Sequence, residues 1–453
     1  VGEQPAYHQL FPSLFEVLAV AFLQRLGIYV DENRDKEELE KLLKRMFESG
    51  ALNSEELSKV AGAGLNPKLL SQLFGQVQAM MSDNDGPVNW ELATKTALDL
   101  AKESQRQPSE VLSAEIQNSF EIAALWLSEQ TEFTNSQPLK QLSRALWVQD
   151  AIPLFKDLAE PVAASMSKAL SENLSQVMPE ELVGMIGPAT KFLANAGAGM
   201  FAAQLGQSVG KLSENVLSAS EIGIPLSTRP GLVIQNVEDF LKDLETPKSE
   251  VLIYLAIREL AVSSLYASNR WLRDQVATQV SEFAAGLKID PESIQNLAQQ
   301  IDPSDPTTIN LVIESGGLIT PRTADQEATL VRIETTLALI EGWADAVAFS
   351  AASRLPGINQ VFELLRRRQA VGAAQKTFAT LLGLELRPRL QREAMAMWQQ
   401  VGAEVGTAVR DSIWKHPDLL PSAEDIQDPS ALIKRLSGGD DDFDSELNKL
   451  LGN

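Results

Sequence analysis

The chain has 453 residues, 44% of them hydrophobic and 22% charged, which is enough apolar material for a sizeable core and argues against wholesale disorder. Its formal net charge of −22 opposes a broad nucleic-acid footprint and attraction to anionic lipid headgroups. There is no cysteine, and His8 and His416 are the only histidines, so disulfides, thiol nucleophiles, Cys-ligated zinc and any His-Glu-x-x-His helix are excluded.

The composition reads as that of an acidic, cytoplasmic protein in a reducing compartment. Near the start, Leu10 to Val30 is apolar but broken by Pro12, Glu16, Gln24 and Arg25. Its longest unbroken run, Val17 to Leu23, falls well short of the ~20 residues a spanning helix takes. No Lys or Arg precedes that run, which opposes a secretory leader. The stretch reads as an amphipathic helix, and no membrane span is expected. The chain opens on Val1 and its first methionine is Met46, so the first 45 residues are expected to follow a non-ATG start or an over-extended gene reading.

Short helices and turns are expected from Glu37 to Met81. The polar breaker Ser82-Asp83-Asn84-Asp85-Gly86-Pro87 then marks a boundary, leaving residues 1–85 as a variable helical region. Asn89 is placed to cap a helix from Trp90 to about Lys102. Ile116, Phe120, Ala123, Ala124 and Leu127 have the spacing of one helix face.

From Ala189 to Leu217, small residues recur at helical spacing, with Ala196, Gly199, Ala203, Gly206 and Gly210 forming a stripe for close helix approach. Gly197 to Ala202 fits a dinucleotide-loop pattern, but no strand precedes it. Gly210-Lys211 resembles the end of a Walker loop, but Leu205 and Leu212 occupy two of its defining positions. Nucleotide binding is not expected. Short β-compatible runs occur at Gly231 to Gln235 and Thr308 to Ile313, too few for a large sheet. Residues 422–453 are acidic and include Gly438-Gly439-Asp440-Asp441-Asp442. They are expected to form a solvated tail with one terminal helix at Ser445 to Leu451. The main domain is therefore expected over residues 86–421, mainly α with a minor β component.

Two helices carry the chemistry. Val251 to Asn269 is apolar or small except for Arg258 and Glu259; Thr335 to Ser353 carries only Glu341 and Asp345. A helix apolar nearly all round is buried. Thr323 and Gln326 are placed to form a capping box at the start of the second, and Leu330, Ile333, Leu337, Ile340, Ala344 and Val347 form its core stripe. Glu341 and Asp345 lie one turn apart on one face, with Gly342 leaving room for close approach. Buried charges need partners, so Arg258, Glu259, Glu341 and Asp345 are expected to converge. Three carboxylates facing one guanidinium leave an excess of −2, to be offset by a shared proton, another arginine or a cation. One reading of this cluster is a buried ion-pair network locking two helices; the other is a site.

These residues also carry a resemblance. Gly86-Pro-Val-Asn89, Arg258-Glu-Leu-Ala-Val262, Leu337-Ala-Leu-Ile-Glu-Gly-Trp343, Phe378-Ala-Thr-Leu-Leu-Gly-Leu-Glu-Leu-Arg-Pro-Arg389 and His416-Pro-Asp-Leu-Leu-Pro421 resemble the zincin-like hydrolases of actinobacteria. Some members of that family are associated with deazaflavin-cofactor biosynthesis. The resemblance implies a zincin-like metallopeptidase scaffold. It puts Glu259 at the general-base position, Arg258 and Val262 at the first two metal-ligand positions, Glu341 at the third, and Asp345 as the carboxylate supporting a ligand.

A guanidinium stays protonated and valine has no donor atom, so neither Arg258 nor Val262 binds metal. Ser263 and Ser264 are weak ligands. Zinc, the cofactor implied by the resemblance, is therefore not expected, and Arg258 is expected to stand in for it as the cation holding Glu341. The resulting expectation is a catalytically degenerate protein that binds a protein or peptide partner in its former cleft. Two alternatives remain: a real hydrolase, either with an oxygen-ligated metal at Glu259, Glu341 and Asp345 or with the family's activity kept despite the missing histidines, and a structural protein with a fossil site.

Among the remaining candidates, Arg366-Arg367-Arg368 reads as a helix end paired with acids. His416 reads as a local hydrogen-bonding residue, and Arg387 and Arg389 as possible further positive charge for the buried cluster.

Overall fold

The computed structural model describes residues 86–177, 183–221, 223–227, 229–242, 244–286, 323–370 and 390–437. Among these the chain is mainly α-helical, with one two-stranded sheet. It divides into two compact units. The larger takes the described residues within 93–161, 204–284 and 323–437, and the smaller those within 86–92, 162–203 and 285–286. One boundary falls at Pro161, inside a long helix, where the ring removes a backbone donor.

Helix α1 (Trp90–Glu103) starts where Asn89 predicts, its Oδ1 accepting from the Leu92 amide at 3.0 Å. Helix α2 (Glu110–Leu127) is capped by Ser109 and buries Leu112, Ile116, Phe120, Ala123 and Leu127. Ala124, expected on that face, is exposed, so the stripe is narrower than its spacing suggests.

Strand β1 (Lys140–Leu142) pairs in parallel with β2 (Gly231–Val233), with Lys140 opposite Gly231 and Leu142 opposite Val233. Helices α3 (Arg144–Val177) and α4 (Val183–Ser213) intervene in the chain. The β-compatible run from Gly231 is thus a strand for three residues. Helix α5 (Ile234–Leu241) then takes over, because Asn236 is buried and bonded as a helical residue, donating to the Ser213 and Val216 carbonyls at 2.8 and 2.7 Å.

Both phosphate-loop patterns lie within α4 and so form no loop. The small residues act instead in packing. A Cβ on Gly206 would lie 2.5 Å from the Ala93 carbonyl oxygen, and one on Gly210 would lie 2.9 Å from the Leu100 Cβ.

The core of the larger unit is built on α6 (Lys248–Ser268), which packs against α2, α8 (Ala324–Ala351) and α9 (Ile358–Ala370). Helix α7 (Trp271–Ala285) follows α6 in the chain. Among the described residues α6 alone is long and apolar enough to cross a membrane, and most of that stretch is buried within the protein.

The capping box at Thr323 and Gln326 is formed at the start of α8. Helix α8 also packs along α10 (Gln391–Val405). There, a Cβ on Gly342 would meet the Ala394 Cβ at 2.7 Å and the Met395 amide nitrogen at 2.8 Å. Trp398 stacks on Trp414 with centroids 5.3 Å apart, and Trp343 meets Trp414 edge-on at 6.3 Å. Helix α11 (Thr407–Ser412) follows α10 and supplies Arg410 and Asp411; the Asp411 carboxylate accepts from the Trp343 indole at 2.9 Å and the Thr131 hydroxyl at 2.6 Å.

The acidic segment after Pro421 does not begin as a solvated tail. It forms α12 (Ala423–Gln427) and α13 (Ser430–Ser437), both packed on α10. Ile426 and Leu432 are buried, and Arg435 donates to Asp425 at 2.9 Å, so apolar spacing within an acidic sequence decides the structure here. The expectations for residues 1–85, including His8, and for Thr308 to Ile313, Phe378 to Arg389 and Ser445 to Leu451 lie outside the described residues.

Candidate functional site

Arg258 sits mid-way along α6 with its guanidinium between two carboxylates of α8. Nη2 donates to Glu341 Oε2, and Nε donates to Asp345 Oδ1 at 3.1 Å. Both acids face one side of α8 because four residues make about one turn. A third helix joins them: Gln391, at the start of α10, donates from Nε2 to Asp345 Oδ2 at 2.9 Å. All three charged side chains are at least nine-tenths buried.

Glu259 does not join this group, which corrects the expectation of a fourfold convergence. Consecutive helix residues point about 100° apart, so when Arg258 turns toward α8 its neighbour cannot. Glu259 instead accepts from the Gly231 amide at 2.9 Å through Oε1. Through Oε2 it accepts from the Ser220 amide at 3.2 Å and the Ser220 hydroxyl at 2.5 Å. Its carboxylate thus fastens the connection between α4 and β2 to the middle of α6.

With Glu259 elsewhere, one guanidinium faces two carboxylates and the formal excess among the described residues is −1. Burial pushes the Glu341 carboxyl up to about 7, against the opposing pull of Arg258 and with help from Asp345. A proton on Glu341 would leave Arg258 and Asp345 balanced, and a shared proton is one of the offsets the sequence calls for. Burial works against the Arg258 charge, but Glu341 and Asp345 outweigh it and hold the guanidinium protonated more firmly than usual. Burial also raises Glu259, opposed by its Ser220, Gly231 and Ser218 hydrogen bonds.

The second oxygen of Glu341, Oε1, is buried and makes no hydrogen bond among the described residues. It faces Gly223, where a Cβ would lie 3.1 Å away and φ is +82°, a conformation that favours glycine. The Tyr266 hydroxyl donates to the Gly223 carbonyl at 3.1 Å and so holds that turn against the site. Tyr254, one turn before Arg258, is fully buried with a hydroxyl unpaired among the described residues, and burial raises its pKa well above that of an ordinary phenol.

The donor set does not fit zinc. The guanidinium occupies the space between Glu341 and Asp345, and Val262, one turn on from Arg258, is buried and has no donor atom. The Ser263 hydroxyl is spent on the Leu260 carbonyl at 3.1 Å. Among the described residues no three His, Cys, Asp or Glu side chains are grouped to hold a metal ion. A recess of about 20 Å³ opens beside Arg258, Glu259, Ser218 and Arg368, which is room for about one water.

The other sequence candidates have local roles. Arg367 and Arg368 lie in the last turn of α9. Arg368 pairs with Glu221 and lies over the Phe240 ring, while Arg366 pairs with Glu363 at 3.9 Å. The His416 Nδ1 accepts from the Asp418 amide at 3.2 Å.

Sequence reasoning missed Gln391, Ser220 and Gly223, each of which reaches the site from far away in the chain. Tyr254 carried a usable signal, since it precedes Arg258 by one turn on the same face.

A family profile described as Zincin-like metallopeptidase matches residues 88–433. A crystal structure from Chloroflexus aurantiacus, provisionally described as a hydrolase with a novel fold, superposes with a TM-score of 0.54 at 18% identity. It covers 77% of this chain and 99% of its own. At that identity the likeness speaks for the fold alone. Comparison with curated proteins finds no match.

Proposed function

We propose, for a chain that belongs to the zincin-like metallopeptidase family, that it is a catalytically degenerate member acting as a binding or scaffold protein for a protein or peptide partner. One observation carries this reading: at the positions where the family resemblance puts a metal and a general base, the space between the two acids of α8 is taken by a guanidinium and the general-base carboxylate is bonded at both oxygens. Arg258 takes both Glu341 and Asp345, and Glu259 has each of its oxygens bonded to a backbone or hydroxyl donor. A general base must aim a free lone pair at the proton it removes, and a hydrolytic metal must keep an open position for water. The recess beside Glu259 has room for about one water. The cysteine-free, acidic composition supports a cytoplasmic setting.

Peptidase assays on the full chain and on Glu259→Gln test the proposal. Neither protein should cleave a mixed peptide pool. Turnover by the wild type that disappears in the variant would overturn the reading.

The family favours a second reading, a hydrolase, for which a metal would have to be held by Glu259, Glu341 and Asp345. It requires Glu259 to leave Ser220 and Gly231, and Arg258 to vacate the space between the other two. Stoichiometric metal in the purified chain, together with Glu259-dependent turnover, is its signature.

A further inference from the structure

We infer that the Arg258 guanidinium is the resident cation of this centre, built in between Glu341 and Asp345, so that α6 and α8 close on each other with no metal and the chain takes up no zinc while Arg258 is in place. The inference rests on the reading just given and deepens it.

Three observations carry it. The guanidinium meets one carboxylate through Nη2 and the other through Nε, so a single planar cation bridges two acids one turn apart. The second acid is also held by Gln391 from α10, which sets its orientation independently of Arg258. Oε1 of Glu341 is buried without a partner among the described residues, so the acid pair retains acceptor capacity that one guanidinium does not fill. A fixed cation costs less to place than a diffusible one, because its position is set by helix packing. It is also permanent, since arginine stays protonated at any physiological pH.

The inference makes the seat separable from the side chain. In the full-length Arg258→Ala chain, two carboxylates lose their partner, and the thermal midpoint should fall by roughly 5–10 °C. Guanidinium chloride at concentrations too low to denature should raise that midpoint again, while lowering that of the wild type. Urea, planar but uncharged, should rescue neither. If Arg258→Ala does not fold unaided, its refolding yield with and without guanidinium reads the same claim.

A second arm uses zinc chloride. The wild type should retain none after gel filtration, whereas the Arg258→His, Val262→His double variant should gain zinc and a raised midpoint through its two imidazoles and Glu341.

Absence of guanidinium rescue, or zinc held by the wild type and lost in Glu341→Gln, overturns the inference. Its failure is distinguishable from failure of the functional reading. Glu259-dependent turnover in a zinc-free wild type would sink the non-catalytic reading and leave the resident cation standing. Wild-type zinc without turnover would do the reverse.

Discussion

At the residue scale, the chain is governed by how few partners its buried charges have. Burial dominates at Glu341, whose carboxyl is raised from 4.5 to about 7, and Glu259 is raised in the same direction. The folded state therefore binds protons in this range more readily than the unfolded chain does. The stabilisation is fully present below about pH 4.5 and is lost as pH rises through about 7. Thermal midpoints of the wild type should accordingly decline between these limits, and Glu341→Gln, neutral at every pH, should flatten the decline. An unchanged slope in that variant would mean that Glu341 is not the titrating group. The pair Arg258 and Glu259 also shows what one-residue spacing does in a helix: adjacent charges serve different neighbours. The fourfold convergence expected from burial alone therefore fails, because Glu259 turns to Ser220 and Gly231 while Arg258 turns to α8.

At the element scale, patterning made most of the helices legible. The Asn89 cap, the Thr323–Gln326 capping box and the two apolar helices with central charges all follow from local chemistry that a sequence displays directly. What was illegible is equally physical. A three-residue parallel pair such as Lys140–Leu142 with Gly231–Val233 has no periodicity long enough to read, and Gln391 reaches Asp345 through tertiary packing alone.

Gly342 ties element to site. Its missing side chain lets α10 approach α8, and α10 carries Gln391. Gly342→Ala should force the helices apart and cost about 1–3 kcal/mol. Chemical denaturation would measure that cost, and a loss below a few tenths of a kcal/mol would show that the contact relaxes freely.

At the scale of the whole molecule, the larger unit extends beyond Pro421, where an acidic composition suggested that it stops. Ser422 caps α12, and Asp425 accepts from Arg435 beside the buried Ile426 and Leu432. Removing residues after Pro421 should therefore lower the thermal midpoint by several degrees relative to removing those after Ser437. Equal midpoints for the two truncations would return 422–437 to the status of a tail. The family assignment, covering residues 88–433, agrees with the longer extent.

The central claim is that Arg258 and Glu341 form the lock between α6 and α8. A double-mutant cycle with Arg258→Met and Glu341→Gln in the full chain, read by denaturant unfolding, tests it most directly. The account predicts coupling above about 1 kcal/mol, with the double variant less destabilised than the sum of the two single ones. Additivity within about 0.5 kcal/mol would contradict it.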